Sequence, residues 1–274
     1  MEIAEQADRS IVKKYRRQIW LPFLTAVKKY RLICAGDRIA ACISGGKDSM
    51  MMAKCLQHLQ RYSDFPFEVK YLVMDPGYNA ENRKKIEANA KALGLPIHIA
   101  ETRIFEIAGK TDRSPCYLCA KMRRGCLYRR AQELGCNKIA LGHHFDDVIE
   151  TTLMSILYGA EVRTMLPKLH SAHYAGMELI RPLYLIREAS VIAWAKYNGL
   201  SFIRCACRFT ENCAAGVGHS KRQETKALIR ELSKVNPNVS KNIFHSMENV
   251  NLETVLGWHC GGKEHSFLDR YDEK

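Results

Sequence analysis

The sequence predicts an α/β fold, a doubly wound parallel sheet with flanking N-terminal and C-terminal helices. Three observations predict it. An apolar run, Ile39-Ala40-Ala41-Cys42-Ile43, stops at the glycine turn Ser44-Gly45-Gly46, and a helix-like stretch opens at Met50. Strand-like runs recur at 68–74, 96–101, 137–141 and 177–180 with helical patterns between them, and strands spaced by helices argue for parallel pairing. Polar, chemistry-bearing residues follow these runs at Ser44–Ser49, Asp75 and Gly142-His143, and open parallel sheets bind ligands beyond the carboxyl ends of their strands.

Taken in order, residues 9–33 read as a basic helix broken or kinked at Pro22. Ile11, Val12, Tyr15 and Ile19 form one apolar stripe, with Lys13, Lys14, Arg16, Arg17, Lys28, Lys29 and Arg31 as its complement. Such a run is either a solvated face or, with Trp20 and Tyr30 interleaved, an RNA contact. The strand at 38–43 feeds a Met- and Leu-rich helix at 48–62. The second strand ends at Asp75-Pro76-Gly77-Tyr78, and the helix 79–93 stops at Gly94, a C-cap position. The fourth strand ends at Gly142-His143-His144, and the next helix ends at Tyr158-Gly159-Ala160. After the strand at 177–180 come Arg181-Pro182-Leu183, a helix at 187–198, a short strand at 201–204 and a cysteine cluster. Helices at 219–234 and 239–256 flank Pro237, and the polar tail from Gly257 reads as frayed. The expected organisation is a basic helical segment (1–36), a nucleotide-binding domain (37–160) and a remainder (161–274) that completes the sheet and carries the last cysteines and helices.

The 274 residues suffice for one large or two modest domains, and a hydrophobic content of 47% argues for a packed core. No apolar run reaches the length of a membrane span, and the acidic start, Met1 to Gln6, lacks a signal-peptide pattern. A cytoplasmic protein is expected. The formal net charge of +13 favours a polyanionic partner, most simply nucleic acid. Eleven cysteines at irregular spacing point to metal or redox chemistry rather than a disulfide framework. Cys42, Cys55, Cys126 and Cys136 read as packing residues.

Three constellations carry chemistry. Ser44-Gly45-Gly46-Lys47-Asp48-Ser49 is a glycine turn at a helix N-terminus, where backbone N–H groups and the helix dipole hold an anion. Its spacing is not that of the Walker loop. Asp48 is either part of a divalent ion's shell or a structural cap. In Leu141-Gly142-His143-His144-Phe145-Asp146-Asp147, the acids and histidines could ligate a metal, cap a helix, or face the nucleotide. Cys116 and Cys119 form a C-x-x-C suited to a soft metal, with Cys205, Cys207 and Cys213 downstream. Two such thiolates plus one or two more could hold zinc or an iron–sulfur cluster.

In this order the motifs resemble the tRNA 2-thiolation branch of the pyrophosphate-loop ATPases, and within it the bacterial tRNA-cytidine 2-sulfurtransferase family. The matching residues are Ser44–Ser49, Pro76-Gly77-Tyr78, Cys116-Tyr117-Leu118-Cys119, Arg123-Arg124-Gly125, Leu141–Asp147 with Glu150-Thr151, Pro167-Lys168-Leu169 and Arg181-Pro182-Leu183. The resemblance spans roughly residues 10–255 and implies the adenine nucleotide alpha hydrolase-like fold. It further implies that ATP, with Mg2+, adenylates the C2 oxygen of an anticodon-loop cytidine. Sulfur carried on a 4Fe-4S cluster held by three cysteines then displaces AMP. The ATP site would comprise Ser44, Gly45, Gly46, Lys47, Asp48, Ser49, Asp75, Gly142, His143 and Asp147. Lys47, Asp48, Cys116, Cys119 and Cys205 would be catalytic, and the three cysteines would hold the cluster. The tRNA would meet Lys13, Lys14, Arg16, Arg17, Arg123, Arg124, Lys221 and Arg222. The sulfur would come from a cysteine desulfurase or sulfide, and a homodimer is implied.

The chain departs from the family at Cys205-Ala206-Cys207, which makes Cys207 a rival third ligand, and a fourth ligand from Cys213 would close the cluster. The related 2-thiouridine enzymes carry terminal zinc ribbons. Here there is no N-terminal cysteine pair, and only His259, Cys260 and His265 lie near the C-terminus. The competing functions are a pyrophosphate-loop ATPase with another acceptor, as in 2-thiouridine or lysidine formation, and a Zn2+-stabilised RNA-binding protein without turnover.

Overall fold

Ile39 to Ile43 of β1 (Arg38–Ile43) are all buried, as a central parallel strand covered on both faces requires. The structure is a computed structural model that describes residues 2–110, 115–203 and 220–271. The chain divides into two units, residues 1–148 with 165–220, and residues 149–164 with 221–274.

The first unit opens with α1 (Ile3–Arg9) and α2 (Leu21–Lys29). After β1 come α3 (Lys47–Tyr62), β2 (Glu68–Asp75), α4 (Ala80–Ala92), β3 (Ile97–Glu101), α5 (Ile104–Gly109) and α6 (Pro115–Glu133). Then follow β4 (Lys138–Ala140), α7 (Phe145–Gly159), β5 (Lys168–His170), β6 (Glu178–Ile180) and α8 (Glu188–Tyr197). The strand order is β3-β2-β1-β4-β6-β5. Neighbours pair in parallel except β5, which runs antiparallel to β6 at one edge. On one sheet face Ala40, Cys42, Leu72, Ile139 and Leu179 pack with Tyr128 and Ala131 of α6. Met50, Met51, Met52 and Leu56 of α3 are fully buried, each side chain contributing roughly 1.5–3 kcal/mol of transfer free energy.

The second unit contains the end of α7, α9 (Lys221–Val235), α10 (Val239–Ser246), and a hairpin of β7 (Gly257–Cys260) and β8 (Lys263–Ser266). Thr225 and Ile229 of α9 and Ser240 and Phe244 of α10 are its buried residues on those two helices.

The elements differ from expectation at several places besides the antiparallel edge strand β5. The N-terminal helical region begins at Ile3, and two π-helical turns, Ser10–Lys14 and Arg16–Trp20, meet at Tyr15 ahead of α2. Pro22 supplies no N–H to the turn before it, which favours a change of register upstream of its ring. Trp20 is core, stacked on Phe23 with ring centroids 5.4 Å apart. The last long helix stops at Ser246, because the polar run after it favours local caps: Asn251 accepts from Glu253 N–H and starts a single 3-10 turn. The tail is the β7–β8 hairpin instead of a frayed end. Residues 201–203 form no strand, and Ser201 offers its carbonyl to Asn89 Nδ2 at 2.9 Å. No helix among the described residues is long and apolar enough to cross a membrane.

Candidate functional site

From β1 the chain winds to β2 and β3 on one side and later to β4 and β6 on the other. The crevice beyond β1 and β4 is therefore the topological switch point, where open α/β sheets take ligands. The loop after β1 and Gly142-His143 after β4 meet there.

The loop is shaped by its own residues. Gly45 takes φ +84°, and a Cβ on it would stand 2.6 Å from Ile86 Cγ1. Ser49 Oγ accepts from Ser44 N–H and from Ser44 Oγ–H, both at 3.2 Å, and donates to the Gly46 carbonyl at 2.9 Å. The hydroxyl of Ser49 thus ties the turn to the first turn of α3. Gly142 abuts the same turn, where a Cβ would lie 2.9 Å from Ser49 N and 3.0 Å from Asp48 C.

Charge is concentrated beside the loop. Lys47 Nζ lies 3.1 Å from Asp48 Oδ2 and 3.1 Å from Glu188 Oε1. Burial pulls the Lys47 pKa down, but Asp48 and then Glu188 outweigh it, so the value is raised. Asp48 Oδ1 is buried and makes no hydrogen bond among the described residues, with His144 Nε2 at 3.8 Å. His144 and Asp147 cap the start of α7 reciprocally. His144 N–H donates to Asp147 Oδ2 at 3.0 Å, and Asp147 N–H donates to His144 Nδ1 at 3.3 Å. With Nδ1 accepting, the ring hydrogen belongs on Nε2, toward Asp48. Asp146 holds α8: its Oδ2 accepts Glu188 N–H at 2.7 Å and its Oδ1 pairs with Arg187 at 3.0 Å.

A cavity of about 420 Å³ opens at this point, lined by Ser44, Asp48, Ser49, Gly142, His143, Asp147, Arg123 and Arg124. Its apolar wall is Cys42, Met74, Leu127, Ile139, Leu141 and Leu179. Burial pushes the Cys42 thiol up to about 12, so it stays protonated. Asp75 does not line the cavity. Its Oδ1 accepts from the N–H groups of Gly77 and Tyr78 at 2.8 and 2.7 Å, and its Oδ2 pairs with Arg83 at 2.6 Å. Its carboxylate thereby fixes the Pro76-Gly77-Tyr78 turn.

Pro115, Cys116 and Cys119 share the first turns of α6. The Cys119 side chain is buried among Met74, Ile104 and Ala108, and Ala120 and Arg123 of the same helix reach the cavity. Cys205, Cys207 and Cys213 lie outside the described residues. Lys13, Lys14, Arg16 and Arg17 are exposed, and Lys14 Nζ sits 3.9 Å from the Tyr197 ring centroid. In the second unit Lys221 pairs with Glu224 at 3.3 Å and Arg222 with Glu150 at 3.2 Å. Sequence reasoning missed Glu188 and the hold that Asp146 has on it. The available signal for Glu188 is an acid in the first turn of the helix after Arg181-Pro182-Leu183.

A parallel sheet whose switch point carries a glycine-turn anion site with a lysine is a nucleotide-binding domain of the pyrophosphate-loop class. The family model described as "PP-loop domain" matches residues 22–212. The tRNA-cytidine(32) 2-sulfurtransferase of Geobacter metallireducens is 34% identical over 234 residues, covering 84% of this chain and 89% of that protein. The protein of the same name from Bordetella parapertussis is 34% identical over 254 residues, 90% of this chain and 76% of its own. The chain belongs to the PP-loop family and, within it, to the tRNA 2-sulfurtransferase enzymes. The same fold occurs in the U34-tRNA thiolase NcsA from Methanococcus maripaludis, solved with its 4Fe-4S cluster. That match has a TM-score of 0.67 and 22% identity, and covers 89% of this chain and 82% of that one.

Proposed function

We propose that the protein thiolates C2 of a tRNA cytidine, position 32 of the anticodon loop as its relatives are named, by ATP-dependent adenylation. One observation carries this: Ser44, Asp48 and Ser49 of the loop and Gly142-His143 face a single cavity at the switch point, with Arg123 and Arg124 on its wall. The base oxygen attacks the α-phosphorus, the bond to the bridging oxygen breaks, and pyrophosphate leaves. Sulfur then adds at C2 and AMP departs with the original oxygen.

The chain's own residues give each step its physical basis. The N–H groups at the start of α3 and the Lys47 ammonium stabilise charge building on the departing pyrophosphate. The buried Oδ1 of Asp48 suits a divalent ion sharing that charge. The apolar wall around Leu127, Ile139 and Leu179 offers a dry seat for a planar base and excludes water from the adenylated intermediate. Cys116 and Cys119 share the first turns of α6, next to Ala120 of the cavity wall, a spacing at which two thiolates can meet one cluster. Cys116, Cys119 and Cys205 would hold a 4Fe-4S cluster that supplies the sulfur atom, with a cysteine desulfurase or sulfide replenishing it.

The test is tRNA-dependent conversion of ATP to AMP, with 2-thiocytidine measured in digested tRNA by mass spectrometry. Lys47→Ala should lower AMP formation by 10²-fold or more, on the order of one lost charge-stabilising group. Unchanged turnover would remove the loop from the chemistry.

A further inference from the structure

Building on the pyrophosphate reading of the loop, we propose that Glu188 competes with the phosphates of the nucleotide for Lys47. It acts as an internal anion that a polyphosphate must displace on binding and that returns as pyrophosphate leaves.

Glu188 is well placed to compete. Its Oε1 stands 3.1 Å from Lys47 Nζ, the distance a phosphate oxygen would take. The two residues come from different elements, Lys47 from the first turn of α3 and Glu188 from the first residue of α8. Asp48 also reaches Lys47, but it is the next residue of the same loop, whereas Glu188 reaches in from another element. Three features hold Glu188 in that posture. Its N–H is pinned by Asp146 Oδ2 at 2.7 Å. Arg187 neutralises Asp146 at 3.0 Å. The N-terminus of α8 stabilises a negative side chain at its first position. With side-chain exposures of 26% for Lys47 and 21% for Glu188, the pair is desolvated enough to matter and accessible enough to open.

The energetic consequence is a threshold. A carboxylate and a phosphate cannot both sit close to one ammonium without mutual repulsion, so the ligand of higher charge prevails. A polyphosphate clears this threshold more readily than a monophosphate. Once the α–β bond is cut, return of the carboxylate to Lys47 promotes release of pyrophosphate.

The test is calorimetric titration of magnesium pyrophosphate into the full-length wild-type protein and into E188Q and E188D. The glutamine keeps the shape and loses the charge; the shorter aspartate keeps the charge at the α8 N-terminus and loses the reach. Both substitutions should tighten pyrophosphate binding, E188Q by roughly fivefold, the equivalent of about 1 kcal/mol for a half-buried ion pair. The melting temperature of the ligand-free E188Q protein should not rise above wild type. A merely structural role gives the opposite sign, because a loosened α8 would weaken binding. Wild-type binding with unchanged or weaker E188Q binding overturns the competition, and a magnesium-dependent weakening would make Glu188 a metal ligand instead. Failure of the wild-type protein to bind pyrophosphate overturns the loop reading itself and the competition with it.

Discussion

Gly142 has only a hydrogen where any other residue would place a carbon 2.9 Å from Ser49 N. Gly142→Ala forces the end of β4 away from α3, and the neighbours are backbone atoms that cannot rotate aside. We expect a loss of about 1–3 kcal/mol in urea unfolding, together with loss of nucleotide binding by calorimetry. Nucleotide binding that survives unchanged would separate Gly142 from the site. At this scale the readable residues were those whose role is local. The glycine turn, Lys47 and the thiols of Cys42 and Cys55 follow from neighbours within a few positions. Glu188 does not, since its partner lies on another element and only folding brings them to 3.1 Å. The partners of Asp75 are only partly local: the N–H groups of Gly77 and Tyr78 follow it in the chain, while Arg83 comes from α4.

Among the elements, the opposite end of the sheet carries a buried ionic triad. Lys138 Nζ on β4 lies 2.8 Å from Asp37 Oδ2 and 3.0 Å from Glu178 Oε2. Burial alone would push the Asp37 carboxyl up, but hydrogen bonds from Lys138, Cys34 N–H and Asn137 hold it below the ordinary value. Burial likewise pulls Lys138 down, while Asp37 and Glu178 outweigh it and raise it. The contribution of Asp37 to stability is therefore full above its unfolded pKa of about 3.9 and is lost as pH falls through its depressed native value. That of Lys138 is full below about 10.4 and is lost as pH rises through its raised native value. Asp37→Asn should cost about 2 kcal/mol at pH 7, less than the ~3–5 kcal/mol of a fully broken buried pair because Glu178 remains. Denaturant melts should show this gap narrowing below about pH 4, where the unfolded carboxyl takes up its proton, and a constant gap would refute the linkage. The parallel strands were legible because burial on both faces demands continuous apolar runs. The edge strand β5 was not, since Lys168 is half-buried, Leu169 and His170 are exposed, and the three leave no such run. The β7–β8 hairpin had a signal in Gly261-Gly262, whose φ values of +58° and +76° suit a two-residue hairpin turn.

For the whole molecule, the formal charge of +13 and the exposed Lys13, Lys14, Arg16 and Arg17 favour an electrostatic embrace of tRNA. Replacing those four by Ala should flatten the slope of log affinity against log salt by about 2–3, near one unit for each phosphate the protein no longer neutralises. Filter binding at several salt concentrations checks this, and an unaltered slope would move the tRNA elsewhere on the protein. The two-unit division was less legible, because the second unit takes residues 149–164 from the middle of the chain and 221–274 from its end, with no linker composition to mark it. The order of strands has one more implication, for synthesis. Ile39 pairs with Lys138, so the loop after β1 leaves the ribosome about a hundred residues before the strand that completes its crevice. Closing so long a span is entropically slow. A nascent chain therefore carries its lysine-bearing turn as an unfinished half, and nucleotide can reward folding only after β4 has emerged.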